Sequence, residues 1–458
     1  MTSRAARTVD VTALMDDRRL SAFNYRLIAL SWIITVFDGL DIMMVSFTAP
    51  YMRDELHLTK AMLGNIFAIG TAGMVIGGLA CSYVGDRIGR RPMILACAFT
   101  FGILTIATGL TSTYEALLAL RFLDGLAIGG MLPLAWALNI EFVPKRMRST
   151  VVAVIMMGYS LGSAGAGPLT NLIAPTHGWE GVYIAGGVGT LICAVALAIN
   201  LPESVRFLVS KGRKPDLVAR TIRRVIPASD VRPDDHFILG DEQTIKSNFH
   251  IRMLFEGRLA IVTPLLWLGY TVSSLAIYFG ANWGPSVLEE LHIPRQTAAW
   301  VSATGSLLGA FGGVLVMRIN DRHGLWFVAL APALAVPLLL ANGFGLVPIG
   351  AFKVAVILQA TLIGAEHAAI ISICGIFYPS AIRASGAGSV SSFGKIGGVL
   401  GPLIGAVVLS SGLPILRSYA ILAICPAVLC ACFLGIAAAT RIRVHPEPED
   451  VVDVVPAS

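Results

Sequence analysis

Twelve apolar runs, each long enough to cross a bilayer, decide what this chain can become. They lie near 27–50, 61–84, 93–111, 116–139, 149–174, 181–200, 259–283, 297–317, 325–346, 348–376, 384–410 and 416–440. A spanning helix needs about 20 mainly apolar residues, and lipid accepts only helices or closed barrels because backbone groups must bond internally. Of the 458 residues 55% are hydrophobic and 14% charged, where a soluble domain carries about 25% charged. The chain is therefore expected to be an all-α membrane protein with twelve transmembrane helices.

The distribution of Lys and Arg sets the expected orientation, since positive loops stay on the cytoplasmic side. With the N-terminus inside, 27 of the 34 Lys and Arg fall in cytoplasmic segments, eleven of them between 201 and 258. Residues 1–26 are expected to be a cytoplasmic tail. They carry five arginines and three acids with no apolar core, which excludes a secretory signal peptide. Residues 27–200 and 259–440 form two six-helix halves joined by the charged loop 201–258, and 441–458 is a second cytoplasmic tail. The seven cysteines are odd in number, none makes a CxxC, and all fall in or beside apolar runs. Small packing residues account for them, with no disulfide, metal or cofactor implied.

The two halves repeat. Gly77-Gly78 and Asp86-Arg87-Ile-Gly89 recur as Gly312-Gly313 and Asp321-Arg322-His-Gly324 at one constant offset, and Pro144 and Arg148 recur as Pro379 and Arg383 at that same offset. Parallel repeats of this kind place a substrate site between the halves, near mid-membrane.

The first run contains Asp38-Gly-Leu-Asp41. Each acid there costs about 2.5–3.5 kcal/mol on insertion scales, and a spacing of three puts both on one helical face. That face must meet water, a cation or a proton. One Asp buried in a polar interhelical contact is the plainer alternative. Arg121 and Lys395 are the buried cations, and Asp38, Asp41, Asp124 and Glu366 the buried acids. Arg121 can grip a carboxylate at two points, or pair with a first-span Asp. Lys395 can anchor a substrate carboxylate or pair with Glu366. Histidine as a residue type titrates near physiological pH, so His367 is a candidate to relay a proton or simply to hydrogen-bond. Trp136, Tyr159, Tyr270 and Phe393 are candidates to line a cavity for a ring. The turn Gly85-Asp86-Arg87-Ile-Gly89-Arg90, with its copy at Asp321 and Arg322, reads as a gate or as a topology anchor.

Two further patterns have a packing explanation. Gly158-Tyr-Ser160-Leu-Gly162 matches the hydrolase nucleophile pattern but lies inside a span, where the required strand-to-helix turn is absent. Together with Gly73-x3-Gly77 it reads as a helix-packing face. No Walker loop is present.

The Gly85–Arg91 turn, its weaker copy, the six-plus-six plan and Pro202-Glu203-Ser204 resemble the major facilitator superfamily. Asp38-Gly-Leu-Asp41, Arg121-Phe-Leu-Asp-Gly-Leu-Ala-Ile-Gly-Gly130 and Tyr378-Pro-Ser-Ala-Ile-Arg383-Ala-Ser-Gly resemble the aromatic acid/proton symporter family within it. Lys395 stands where that family usually has Arg, and Leu134 where an Asn is common. The resemblance implies a monomeric secondary transporter in an inner membrane, not an enzyme, with no cofactor. Its implied activity is proton-coupled uptake of a small organic anion, most simply an aromatic carboxylate, by alternating access. In that reading Asp38, Asp41, Glu366 and His367 couple protons. Arg121, Lys395, Trp136, Tyr159, Tyr270 and Phe393 bind substrate, and Gly85, Asp86, Arg87, Gly89, Arg90, Asp321 and Arg322 gate. The alternatives are a carrier of non-aromatic acids, a drug exporter of the same superfamily, or a transport-like sensor.

Overall fold

The computed structural model describes residues 7–441 apart from 17–19, 213–214, 227–228, 241–249, 324, 375–376 and 380–381, and apart from some side chains, chiefly those of 317–326. Among the described residues the chain makes twelve helical spans, as expected. The first four are Ala22–Leu56, Lys60–Ile88, Arg90–Gly109 and Tyr114–Glu141. The fifth and sixth lie within Arg148–Asn200 as two helices separated at Gly178 (φ +66°, ψ −179°), shortly after Pro175. That combination of φ and ψ is open to glycine, so the outer turn expected near 175–180 is a tight kink at this residue.

In the second half the spans begin with Leu259–Glu290 and Arg295–His323. The ninth runs through Leu325–Val328 and Leu330–Gly343, with Ala329 between them keeping a helical backbone. The tenth and eleventh are Ile349–Ile373 and Arg383–Ser410. The twelfth runs through Arg417–Leu422 and Ile424–Arg441, joined at Ala423, whose backbone stays helical.

Glycine faces bring the spans together. A Cβ on Gly77 would collide with the backbone of Leu126, and one on Gly129 with the backbone of Met74. Spans two and four therefore cross at backbone contact, with Gly73-x3-Gly77 facing Gly125-x3-Gly129. Gly158 and Gly162 meet the first span at the Trp32 and Val36 carbonyls. Ser160 Oγ bonds the Met156 carbonyl at 3.4 Å within its own helix, so the hydrolase-like pattern is a packing face.

The segments outside the spans are folded where they are described. Val205–Ser210 and Pro215–Val225 are short helices, and the second buries Val218, Ala219, Ile222 and Val225. Strand His236–Ile238 pairs in parallel with Thr8–Asp10 of the N-terminal segment, which no periodicity in the sequence announced. Helix Val11–Asp16 follows, and Asp16 accepts the Lys145 amide at 3.0 Å and pairs with its ammonium at 3.0 Å.

Candidate functional site

The first and fourth spans carry the charges into the middle of the bundle. Gly39 has no side chain because the Tyr159 carbonyl of the fifth span occupies that space, and this close approach turns Asp38 and Asp41 inward. Asp41 Oδ2 accepts Arg121 Nη1 at 3.0 Å, and Oδ1 accepts Nη2 at 3.4 Å. Thr105 Oγ1 of the third span lies 3.4 Å from the same Oδ1. One turn along the fourth span, Asp124 Oδ2 takes Arg121 Nη2 at 2.8 Å. The guanidinium carbon sits 5.2 Å from the Tyr183 ring centroid. Arg121 is thus held by two acids, with an aromatic face beside it.

Asp38 is different. It is 0% exposed, and neither carboxylate oxygen has a hydrogen-bond partner among the described residues. Its neighbours are Asp41, Tyr159 and Tyr278. Two carboxylates therefore hold the one guanidinium, and Asp38 is a third acid next to Asp41 in an apolar bundle. A narrow cleft opens on Arg121 and its two acids, lined by Asp41, Arg121, Asp124, Phe67, Tyr278 and Asn282 from both halves.

Lys395 of the eleventh span is exposed, and among the described residues no hydrogen bond or ion pair holds it. It faces the other half, for a Cβ on Gly78 would stand 3.6 Å from its Nζ. It does not pair with Glu366, the alternative weighed from the sequence. Glu366 is 0% exposed, with both oxygens unpartnered among the described residues, and lies beside Cys425 and Cys430 of the last span. His367 points elsewhere, as adjacent helical residues do. Its Nδ1 is 3.0 Å from Ser273 Oγ, and its ring is 5.4 Å from that of Tyr270. Glu366 and His367 consequently do not act as one pair.

Phe393 stacks on Trp267 at 4.1 Å and 11°, and Trp267 Nε1 donates to Ser389 Oγ at 3.1 Å. Tyr270, His367, Trp267 and Phe393 therefore share one region of the second half. Trp136 does not join the candidate site. It lies fifteen residues beyond Arg121 on the same helix, about 22 Å at 1.5 Å per residue, and packs by Val143, Val151 and Ile155. Sequence reasoning missed Trp267, Thr105 and Tyr183 as members. The i,i+3 spacing from Arg121 was the available signal for Asp124.

At one end of the bundle, Gly89 (φ +115°) turns the chain between spans two and three. Glu203 Oε1 accepts the Arg90, Arg91 and Ser204 amides at 3.0, 3.1 and 2.8 Å. A carboxylate there caps the third span and meets its positive dipole end. Arg90 also pairs with Glu141, and Ser204 Oγ donates to Glu141 Oε2 at 2.6 Å. Arg87 lies over the Tyr83 ring at 4.2 Å. Asp86 and Arg90 border an open cleft with Arg148 and Lys211. The side chains of Asp321 and Arg322 lie outside the described residues.

Twelve spans around a charge-lined cleft that both halves border define a multi-pass membrane transport protein, not an enzyme. The chain belongs to the Major Facilitator Superfamily, whose family model matches residues 31–402. The 4-hydroxybenzoate transporter PcaK of Pseudomonas aeruginosa is 31% identical over 409 residues, covering 89% of this chain and 91% of that protein. The gallate transporter of Pseudomonas putida is 29% identical over 413 residues, covering 88% and 90%. Among solved structures, the inward open xylose transporter XylE from E. coli matches with a TM-score of 0.70 at 15% identity, covering 91% of this chain and 95% of that one. A bacterial homolog to the human lysosomal transporter Spinster, inward-facing and occupied, also gives 0.70 at 16% identity, covering 93% and 100%.

Proposed function

We propose that this chain imports a small aromatic carboxylate together with protons, as a monomer in a bacterial-type inner membrane. The names of the relatives, 4-hydroxybenzoate and gallate transporters, support the cargo class. The observation that carries the coupling is the buried, unpartnered Asp38 beside Asp41, in a group whose one arginine is already held by Asp41 and Asp124. Ionised together, the three acids exceed the one cation by two charges. Intramembrane charges of this kind pair or lie on ion and proton paths, and a proton on Asp38 reduces the excess. The substrate carboxylate meets Lys395, and the Tyr270, Tyr278 and Trp267–Phe393 surfaces receive the ring. Glu366 and His367 are two separate candidate proton sites in the second half, one beside Cys425 and Cys430 and the other on Ser273. The Gly85–Arg91 turn and the Asp321–Arg322 copy serve the cytoplasmic gate.

The test is uptake of labelled 4-hydroxybenzoate and benzoate into proteoliposomes with acid outside. Accumulation that a protonophore abolishes is expected. Uptake indifferent to the protonophore removes the proton, and uptake restricted to aliphatic acids removes the ring. Both termini and the long loop belong in the cytoplasm in this reading. Reporter tags at residue 230 and after residue 458 should therefore both report cytoplasm, and a periplasmic signal from either refutes the orientation.

A further inference from the structure

The turn between the first two spans and the turn between the seventh and eighth are two copies of one element. Asp54-Glu55-Leu56-His57-Leu58-Thr59-Lys60 corresponds, at the same offset as the other repeats, to Glu289-Glu290-Leu291-His292-Ile293-Pro294-Arg295. Both histidines end their helices in the left-handed region, His57 at φ 53° and His292 at φ 62°, and among the described residues no other non-glycine has positive φ. Histidine is one of the side chains enriched there. The match therefore extends from sequence to backbone shape.

The two copies exchange charges across the interface between the halves. Lys60 Nζ lies 2.9 Å from Glu290 Oε1 and donates to the Leu409 carbonyl at 2.9 Å. Its counterpart Arg295 pairs with Asp54 of the first half and lies 2.8 Å from Glu289 of its own. Arg53 adds a contact to Glu289 at 3.7 Å. At the opposite end of the bundle the first half uses its charges within itself, Arg90 on Glu141 and Glu203 on the third span.

We propose that the two copies form a reciprocal ion-pair clasp that holds the carrier shut on this side and must break for that side to open. Side chains in the clasp are 18% to 51% exposed, so each pair is weak and screened by solvent. A set of such bonds biases the closed state without trapping it, as a carrier that cycles requires. The inference rests on the two-halved carrier fold and not on the cargo, so its test uses no substrate.

Nitroxide labels at Ser112→Cys and Leu346→Cys, on exposed loops of the two halves at this end, report the separation by electron–electron resonance. The background has the seven native cysteines replaced, and the full chain is held in nanodiscs. Lys60→Glu and Glu290→Lys should each raise the long-distance population about three- to tenfold. The double swap should return the original distribution. Salt at about 1 M, where screening reaches ~3 Å, should mimic a single reversal. Unchanged distances in the single variants, or a double swap no closer to the original than either single, overturns the clasp. If a reversal fails to give a monodisperse protein, Lys60→Gln and Glu290→Gln are read against the same criterion, opening if the clasp holds and unchanged if it does not.

Discussion

Asp38→Asn should leave a folded carrier that exchanges substrate but no longer concentrates it. The side chain has no partner to lose among the described residues, and Asn keeps its size, so packing is preserved. What disappears is the group that takes and releases the proton. Each pH unit of gradient is worth about 1.4 kcal/mol per proton, about tenfold in accumulation. The accumulation ratio should fall to about one, the value for an uncoupled carrier. Exchange without a gradient need not release the proton and should persist. Asp41→Asn should behave differently, because it breaks the two-point hold on Arg121 and so should weaken exchange and thermal stability as well. Uphill accumulation that survives Asp38→Asn removes this residue from the coupling path, and the same measurement on Glu366→Gln then becomes the next test.

Arg121→Gln should abolish transport and also destabilise the fold. The guanidinium is buried and carries Asp41 on one side and Asp124 on the other. Removing one partner of a buried ion pair costs about 3–5 kcal/mol, because the remaining charge stays uncompensated. Here two acids are stranded. Arg121→Gln with Asp124→Asn should recover part of the lost stability, since one stranded charge is gone, yet should not recover transport. Thermal unfolding in detergent, read beside uptake, separates the two effects. A single variant with wild-type melting shows that the triad is not what holds spans one and four together.

The contrast between Asp38 and Asp41 marks the limit of the sequence. Both are acids on one face, three residues apart, and nothing in the local pattern says which meets a cation. The tertiary fold makes the choice, because the crossing of spans one and five over Gly39 turns Asp41 to Arg121 and leaves Asp38 beside two tyrosines. Trp136 failed as a candidate for a related reason. Sharing a helix with Arg121 says nothing about depth until residues are counted along its axis. Glu366 and His367 stand side by side in the chain and point apart, since adjacent helical residues differ by about 100°.

Some features needed no tertiary structure. Twelve apolar runs in a chain with 14% charged residues admit only a helical membrane protein, because lipid offers no partner to an open backbone. The repeat at one constant offset required two like halves with a site between them, and the glycine faces required close crossings. Sequence alone also placed every charge of the central group on its span, since burying a charge is too costly to be accidental. Tertiary structure decided which of those charges meet. It paired Arg121 with Asp41 and Asp124, left Lys395 and Asp38 without partners among the described residues, and exchanged Lys60 and Arg295 between the halves. Such pairings depend on helix rotation and on contacts between segments from opposite halves of the chain, and local periodicity carries no information about either.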